Sequence, residues 1–547
     1  MSNSERQPLL EPGQHDPLIS PDIPVFPDSL PGTTYGKNIS WTSAYILVVS
    51  RVIGSGIFAT PGSIVKSAGS VGLTLLVWLV GTILSACGLS VSMEYGCMLP
   101  RSGGDKVYLE YAYRRPRFLA STVVAIHAVV LGFTASNCIV FAKYTLFALS
   151  IEPTDLQYKA LAIGLLTTIT IIHGLFFKTG IIIQNALGWV KIFLIGAMSL
   201  TGVWVLLLQF FGGDINTSPG ARRLSGVSWD TLWEGSNWSW NLLSTALFKV
   251  IYSYAGLSNI NNVLNEVQDP VRTLKTVCPS ALVTAGGLYL LANLSYLLVV
   301  PLDEIKNSGE LVGALLFERL FGNIGSTLFP LAIAISAAGN VMVVTFALVS
   351  HNRIMIRTWL NTNTGASQPR NCATRFLTVA KAAILFASLW YSARGLIVHY
   401  VPSLLVIALP PQQDVYNFIL DVEGYPGNIM ALAVTIGLLI LRYKEPSLPR
   451  PFKAWLPAVW LRVVVCITLL VAPFIPPPGR QGDVHFFYAT YAIVGISIII
   501  FALLYWYVWT VILPRRGGYR LEEAVETLDD GTTITRLVRS FPALSRG

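Results

Sequence analysis

"RVIGSGIFATPG", Arg51 to Gly62, lies inside the first long apolar stretch of the chain. A membrane-spanning helix is expected there, yet Gly54 and Gly56 flank Ser55 and Pro61 follows. Glycine inside a helix costs about 1 kcal/mol against alanine, so the stretch works against its own helix. A helix broken within a bilayer exposes free N–H groups at the start of one half and free C=O groups at the end of the other. In hydrocarbon each would cost several kcal/mol, so a break survives only around a polar ligand or a water-filled cavity. Taken alone, the stretch reads equally well as a glycine-rich contact between helices.

Composition makes the bilayer the relevant solvent. The chain has 547 residues, of which 53% are hydrophobic and 12% charged, with a mean hydropathy of +0.59. Soluble domains carry about 25% charged residues. Stretches near the roughly 20 apolar residues that a spanning helix needs recur from Trp41 to Pro514. The expected fold class is an all-α polytopic membrane protein with the lipid bilayer as partner, and a soluble enzyme is excluded. The net charge of +9 invites a nucleic-acid reading, but the basic residues fall in short loops between spans, as the positive-inside rule predicts. No nucleic-acid partner is expected. The cysteines at 87, 97, 138, 278, 372 and 466 show no CxxC and no metal spacing, so no metal, cofactor or disulfide framework is expected.

Residues 1–40 are polar and read as a disordered cytoplasmic tail without the apolar core of a signal peptide. Twelve spans are expected near 42–66, 71–99, 118–150, 157–175, 180–210, 240–265, 277–300, 326–350, 395–410, 416–442, 455–474 and 486–513. They form a transmembrane domain over 41–514, followed by a cytoplasmic tail over 515–547. The apolar stretch 375–393 could count as a thirteenth span. That would carry Arg442, Lys444, Arg450, Arg515 and Arg516 to the outer face, against the charge rule. It is read instead as an amphipathic piece of a cytoplasmic loop over 351–394. The outward loop 211–239 holds sequons at Asn216 and Asn237. Glu5 with Leu9 and Leu10 fits an acidic dileucine pattern. The plasma membrane is the expected location, with a vacuolar or endosomal membrane as the alternative.

A second break decides how the first is read. In "FKVIYSYAGLSNINNVLNEVQDP" (248–270) the apolar pattern dissolves after Tyr254, around Gly256, Ser258 and Asn259. Spans one and six hold corresponding places in two five-helix halves. Interrupted spans at matching positions are the best pointer in a sequence to a transporter's binding site. The residues also resemble a known family. "RVIGSGIFATPGSIVKSAGSVGLTLLVWLVG", "MEYGCMLPRSGGDKVYLEYAY", "YSYAGLSNINNVLNEVQDPVRTLK" and "DVYNFILDVEGYPGNIMALAVTIGLLILRY" are similar to the amino acid–polyamine–organocation superfamily. Within it the match is to the L-type amino acid transporters and fungal methionine permeases. The resemblance covers roughly residues 40–515 and implies the LeuT-type 5+5 inverted repeat with alternating access. The chain departs from the family in the link before span nine, and Leu257-Ser258 replaces the family's frequent Trp-Asn pair.

The expected substrate is a neutral, large apolar L-amino acid, methionine among the candidates. Amides at Ser55, Gly56 and Ile57 suit its carboxylate. Carbonyls at Val52, Ile53, Tyr252, Ser253 and Tyr254 suit its ammonium, and the resemblance implies the same assignment. Tyr254, Leu257 and Ser258 are expected to shape the side-chain end. The small residues of "AISAAGN" in span eight either leave room for a bulky side chain or pack tightly. Lys191, deep in span five, is costly there and so a functional hypothesis; the family's lysine at this position implies sodium-independent transport, by proton coupling or exchange. Glu94 either serves ion coupling or pairs with Arg101 and its loop. The alternative function is an amino-acid-sensing receptor with the same site and little net transport. Nothing in the cysteines suggests a disulfide-linked partner, and the oligomeric state is not read from the sequence.

Overall fold

The computed structural model describes residues 39–131, 134–152, 154–175, 177–211, 228–363, 400–409, 415–476, 487–527 and 533–540. Asn216, the dileucine, Cys372 and the stretch 375–393 lie outside them. Among the described residues, eight helices are long and apolar enough to cross a membrane. Span six falls short of that length for a structural reason: its helix is interrupted. Span three consists of Leu119–Leu131 and Ala135–Ala148, and the helix of span six ends after Trp240–Ser253.

Span one is two half-helices. The first, Trp41–Val52, starts at Ser40, whose hydroxyl accepts from the Ser43 N–H at 3.4 Å. The second runs through Gly56–Ala59 and Pro61–Ala68, with Thr60 between them also in helical conformation. It stops at Gly69, whose φ of 83° suits a residue without a Cβ. Ser70 then caps span two, Val71–Met98, by accepting from the Leu73 N–H at 3.3 Å. In span six the helix gives way at Tyr254 to turns and to short 3-10 segments, Asn259–Asn262 and Leu264–Glu266. Asp269 caps span seven, Pro270–Val299, by accepting from the Arg272 N–H at 3.4 Å, with Pro270 at the first helical position.

The two broken spans run antiparallel and are pinned to each other at both ends. At one end the Ile39 N–H donates to the Glu266 carbonyl and the Gln268 N–H to the Ile39 carbonyl, both at 3.0 Å. At the other, the Asn237 N–H donates to the Ala68 carbonyl at 2.8 Å, and the Ser70 and Ser236 hydroxyls lie 2.7 Å apart. Spans five (Phe177–Phe210) and three pack against span eight, which in turn meets the second half of span one. Two helices are joined across Gly322, where φ is 58°: one that begins at Val312 and, beyond the kink, span eight, close to its expected start at 326. After the last span, Thr490–Tyr507, residues 520–527 and 533–540 pair as an antiparallel hairpin. The alternation that would announce those strands is diluted by charged residues on both.

Candidate functional site

The two breaks meet in the interior. The second half of span one makes its first turn when the Phe58 and Ala59 N–H groups donate to the Ser55 carbonyl at 3.1 and 2.9 Å. The amides of Ser55, Gly56 and Ile57 therefore precede that turn, in the position where helix N–H groups lack intrahelical partners. All three residues are buried. The Ser55 hydroxyl makes no hydrogen bond among the described residues, and neither does the buried Tyr416 hydroxyl of span ten, which lies beside it. Buried polar groups are nearly always paired in native proteins, and here two buried hydroxyls lie next to three helix-start amides.

Gly56 has a second function. A Cβ there would sit 2.6 Å from the Ser253 hydroxyl and 2.9 Å from the Ser253 Cα. The contact glycine of the sequence reading and the ligand glycine are thus the same residue. Ser253 donates to the Lys249 carbonyl at 2.9 Å and lies 3.3 Å from the Thr60 hydroxyl. Gly256, with φ of 112°, brings span six against Arg51, whose Cγ would be 2.7 Å from an added Cβ.

Several residues named from the sequence do not stand free. The carbonyls of Val52 and Ser253 both accept from one hydroxyl, that of Tyr289 in span seven, at 2.8 and 3.0 Å. The Ile57 carbonyl accepts from Tyr296 at 3.3 Å. Ile53 is 1% exposed and its N–H donates to the Val49 carbonyl at 2.9 Å, whereas its carbonyl, the group named from the sequence, accepts no hydrogen bond among the described residues. The Tyr252 carbonyl accepts from the Ala255 N–H at 2.9 Å, while its hydroxyl lies 3.1 Å from that of Ser136. Tyr254 turns toward spans two and seven, with its hydroxyl 2.7 Å from Thr82 and its ring against Trp78 and Tyr289. Leu257 is buried, and Ser258 is half-buried at the head of the 3-10 turn.

Lys191 is 1% exposed and donates to the side chain of Asn340, which in turn donates to Asn137 at 3.3 Å. A Cβ on Gly54 would lie 2.8 Å from the Asn340 amide nitrogen. Lysine, asparagine and the first break therefore form one contact, and the small residues of span eight serve close packing: Gly339 leaves 3.0 Å for a Cβ beside Leu187. Glu94 is fully buried and tied down. It pairs with Arg442, lies 3.4 Å from Arg450, and accepts from the Ala454 N–H at 2.8 Å. These partners are in span ten and the loop after it, where the sequence suggested Arg101.

Sequence reading missed four charged residues in the spans. Lys249 of span six and Asp421 of span ten are 3.8 Å apart and 0% and 1% exposed. Arg51 of span one and Glu423 of span ten, both half-buried, interact electrostatically. The signal was present: "LDVEGYP" puts two carboxylates in an otherwise apolar span, and intramembrane charges are rarely idle.

A family model of amino acid permeases matches residues 39–500. The chain belongs to the amino acid permease family. The family has a twelve-span helical transporter fold, and its members are transporters and not enzymes. Among relatives, the low-affinity methionine permease of Saccharomyces cerevisiae is 29% identical over 517 residues, covering 92% of this chain and 88% of the relative. The high-affinity methionine permease of the same yeast is 30% identical over 519 residues, covering 92% and 84%. The human b(0,+)-type amino acid transporter 1 is 24% identical over 464 residues, covering 82% and 84%. This permease is thus a multi-pass membrane protein of amino acid transport.

Proposed function

We propose that this permease carries a neutral, large apolar L-amino acid, methionine among the candidates, across the plasma membrane by alternating access. One observation carries the reading: at the junction of the two broken spans, the amides of Ser55–Ile57 precede the first helical turn, beside the buried hydroxyls of Ser55 and Tyr416. An α-carboxylate would satisfy these donors, which are otherwise costly to bury. The names of the two yeast relatives support methionine as the first substrate to try. Lys191, donating to Asn340 beside the first break, fills the place where a sodium ion would otherwise stabilise the turn. Transport then runs by proton coupling or by exchange. The basic loops place the Trp41 end of span one toward the cytoplasm.

The experiment is uptake of a panel of labelled amino acids into proteoliposomes holding the full chain, with sodium and pH varied separately. Saturable uptake of large apolar L-amino acids that is unchanged when sodium is replaced is the expected result. Binding without accumulation or exchange would favour a receptor in its place.

A further inference from the structure

We infer that a basic cluster, where the end of span twelve meets the loop after span two, holds the headgroup of an anionic phospholipid whose acyl chains lie along span twelve. Two elements far apart in sequence build it. The Arg117 carbonyl accepts from the Trp506 indole N–H at 3.0 Å, across 389 residues of chain. The helix continues past Tyr507, and the ring of Trp509 lies 6.4 Å from that of Phe118, edge to face. These two contacts fasten Arg115 and Arg117 beside the end of the span. Arg515 and Arg516 follow Trp509 there, about 9 Å further along the helix axis.

All four arginines are exposed, and among the described residues none of their side chains makes a hydrogen bond or an ion pair. One neighbouring acid is already engaged: Glu445 pairs with Arg114 at 2.6 Å. Glu522, just beyond the span, is exposed and bonds to none of the four. Like charges held together repel, so the cluster gains from an anion placed among them. The charge rule accounts for basic loops one at a time; it gives no reason to fasten two of them together through an indole. The surface below the cluster selects the anion. Only 6% of the apolar window of Thr490–Gly517 is buried inside the protein, and Leu504, Val508 and Leu513 are exposed on it. A free phosphate would meet the arginines alone. A phospholipid meets both, with its phosphate at the guanidinium forks, which match such oxygens two at a time, and its chains against the apolar face. Trp506 and Trp509 mark the depth between them, where indoles settle at a membrane interface. The charge rule places this end of the span in the cytoplasm, beside the leaflet that carries anionic lipid.

The test is a competition between palmitoyl-oleoyl phosphatidylserine and palmitoyl-oleoyl phosphatidylcholine, added in equal amounts to the full chain in detergent, with bound lipid counted by native mass spectrometry. Wild type should retain phosphatidylserine in preference. Arg115→Gln/Arg117→Gln/Arg515→Gln/Arg516→Gln should reduce that preference at least about tenfold, since each basic residue near the surface adds to the attraction. A charge-matched control on the same side of the membrane, Lys106→Gln/Arg272→Gln/Lys275→Gln/Lys453→Gln, should keep it. Trp506→Phe retains every charge and removes the bond to the Arg117 carbonyl, and it should lower the preference too. Soluble glycerophosphoserine, the same headgroup without chains, should not displace the lipid at equal concentration. The inference is overturned by no preference in wild type, by an unchanged preference in the four-arginine or the Trp506→Phe protein, or by an equal loss in the control. Displacement by glycerophosphoserine overturns it as well, because the cluster would then be a site for a soluble anion.

Discussion

Gly56 shows how much one missing Cβ can do. Its hydrogen faces Ser253 of span six at a distance no methyl group fits, 2.9 Å from the Cα position to an added Cβ, and its amide is one of the three offered to a carboxylate. Gly56→Val should still insert into the membrane, but with the half-helices pushed apart it should lose amino-acid binding and melt earlier. A Gly56→Val protein with wild-type uptake would move the site elsewhere. Tyr289 was invisible to reasoning about the breaks because it is remote in sequence, yet its hydroxyl joins the ends of both. Tyr289→Phe strands two buried carbonyls, which costs about 1–3 kcal/mol. Thermal unfolding of the purified variant should show that loss with the ring packing against Tyr254 retained.

Among the elements, span ten ties the site to the rest of the protein. Glu94 of span two grips its far end through Arg442 and the loop beyond through Arg450 and Ala454. That arrangement assigns Glu94 a bracing part. Breaking one member of such a buried network costs about 3–5 kcal/mol, so Glu94→Gln should lower thermal stability and yield. The pH dependence of uptake by the surviving protein should match wild type; a flattened profile would instead give Glu94 a place in ion coupling. The interrupted sixth span teaches a related lesson. Hydropathy marks how long a stretch stays apolar, whereas helix continuity depends on whether neighbours satisfy the backbone where it breaks.

At the scale of the molecule, spans one and six are held at both ends and meet through Gly56 and Gly256 in the middle. Lys191 and Asn340 anchor the junction from spans five and eight. Lys191→Ala should abolish or slow uptake under all conditions, and adding sodium should not rescue it; rescue by sodium would mean the cavity left by the ammonium can be refilled by the ion, and that the native protein is one step from sodium coupling. Location is a separate property of the tail. Changing Leu9 and Leu10 to alanine should leave a tagged protein at the cell surface as before. Surface accumulation of the mutant from an internal wild type would favour the vacuolar or endosomal alternative.

The sequence by itself determined the solvent, the class and where the two long spans break. Long apolar runs exclude water-soluble folds, basic loops orient them, and glycine with serine at matching points of two halves marks where backbone groups are left over. These are local properties, set by residues within a few turns of each other. What the site's groups are bonded to was decided only by the tertiary structure. Tyr289 reaches Val52 across 237 residues of chain, Glu94 reaches Arg442 across 348, and Lys191 reaches Asn340 across 149. No periodicity encodes such pairs. A buried charge must find its partner wherever packing brings one, and packing is a property of all the spans at once.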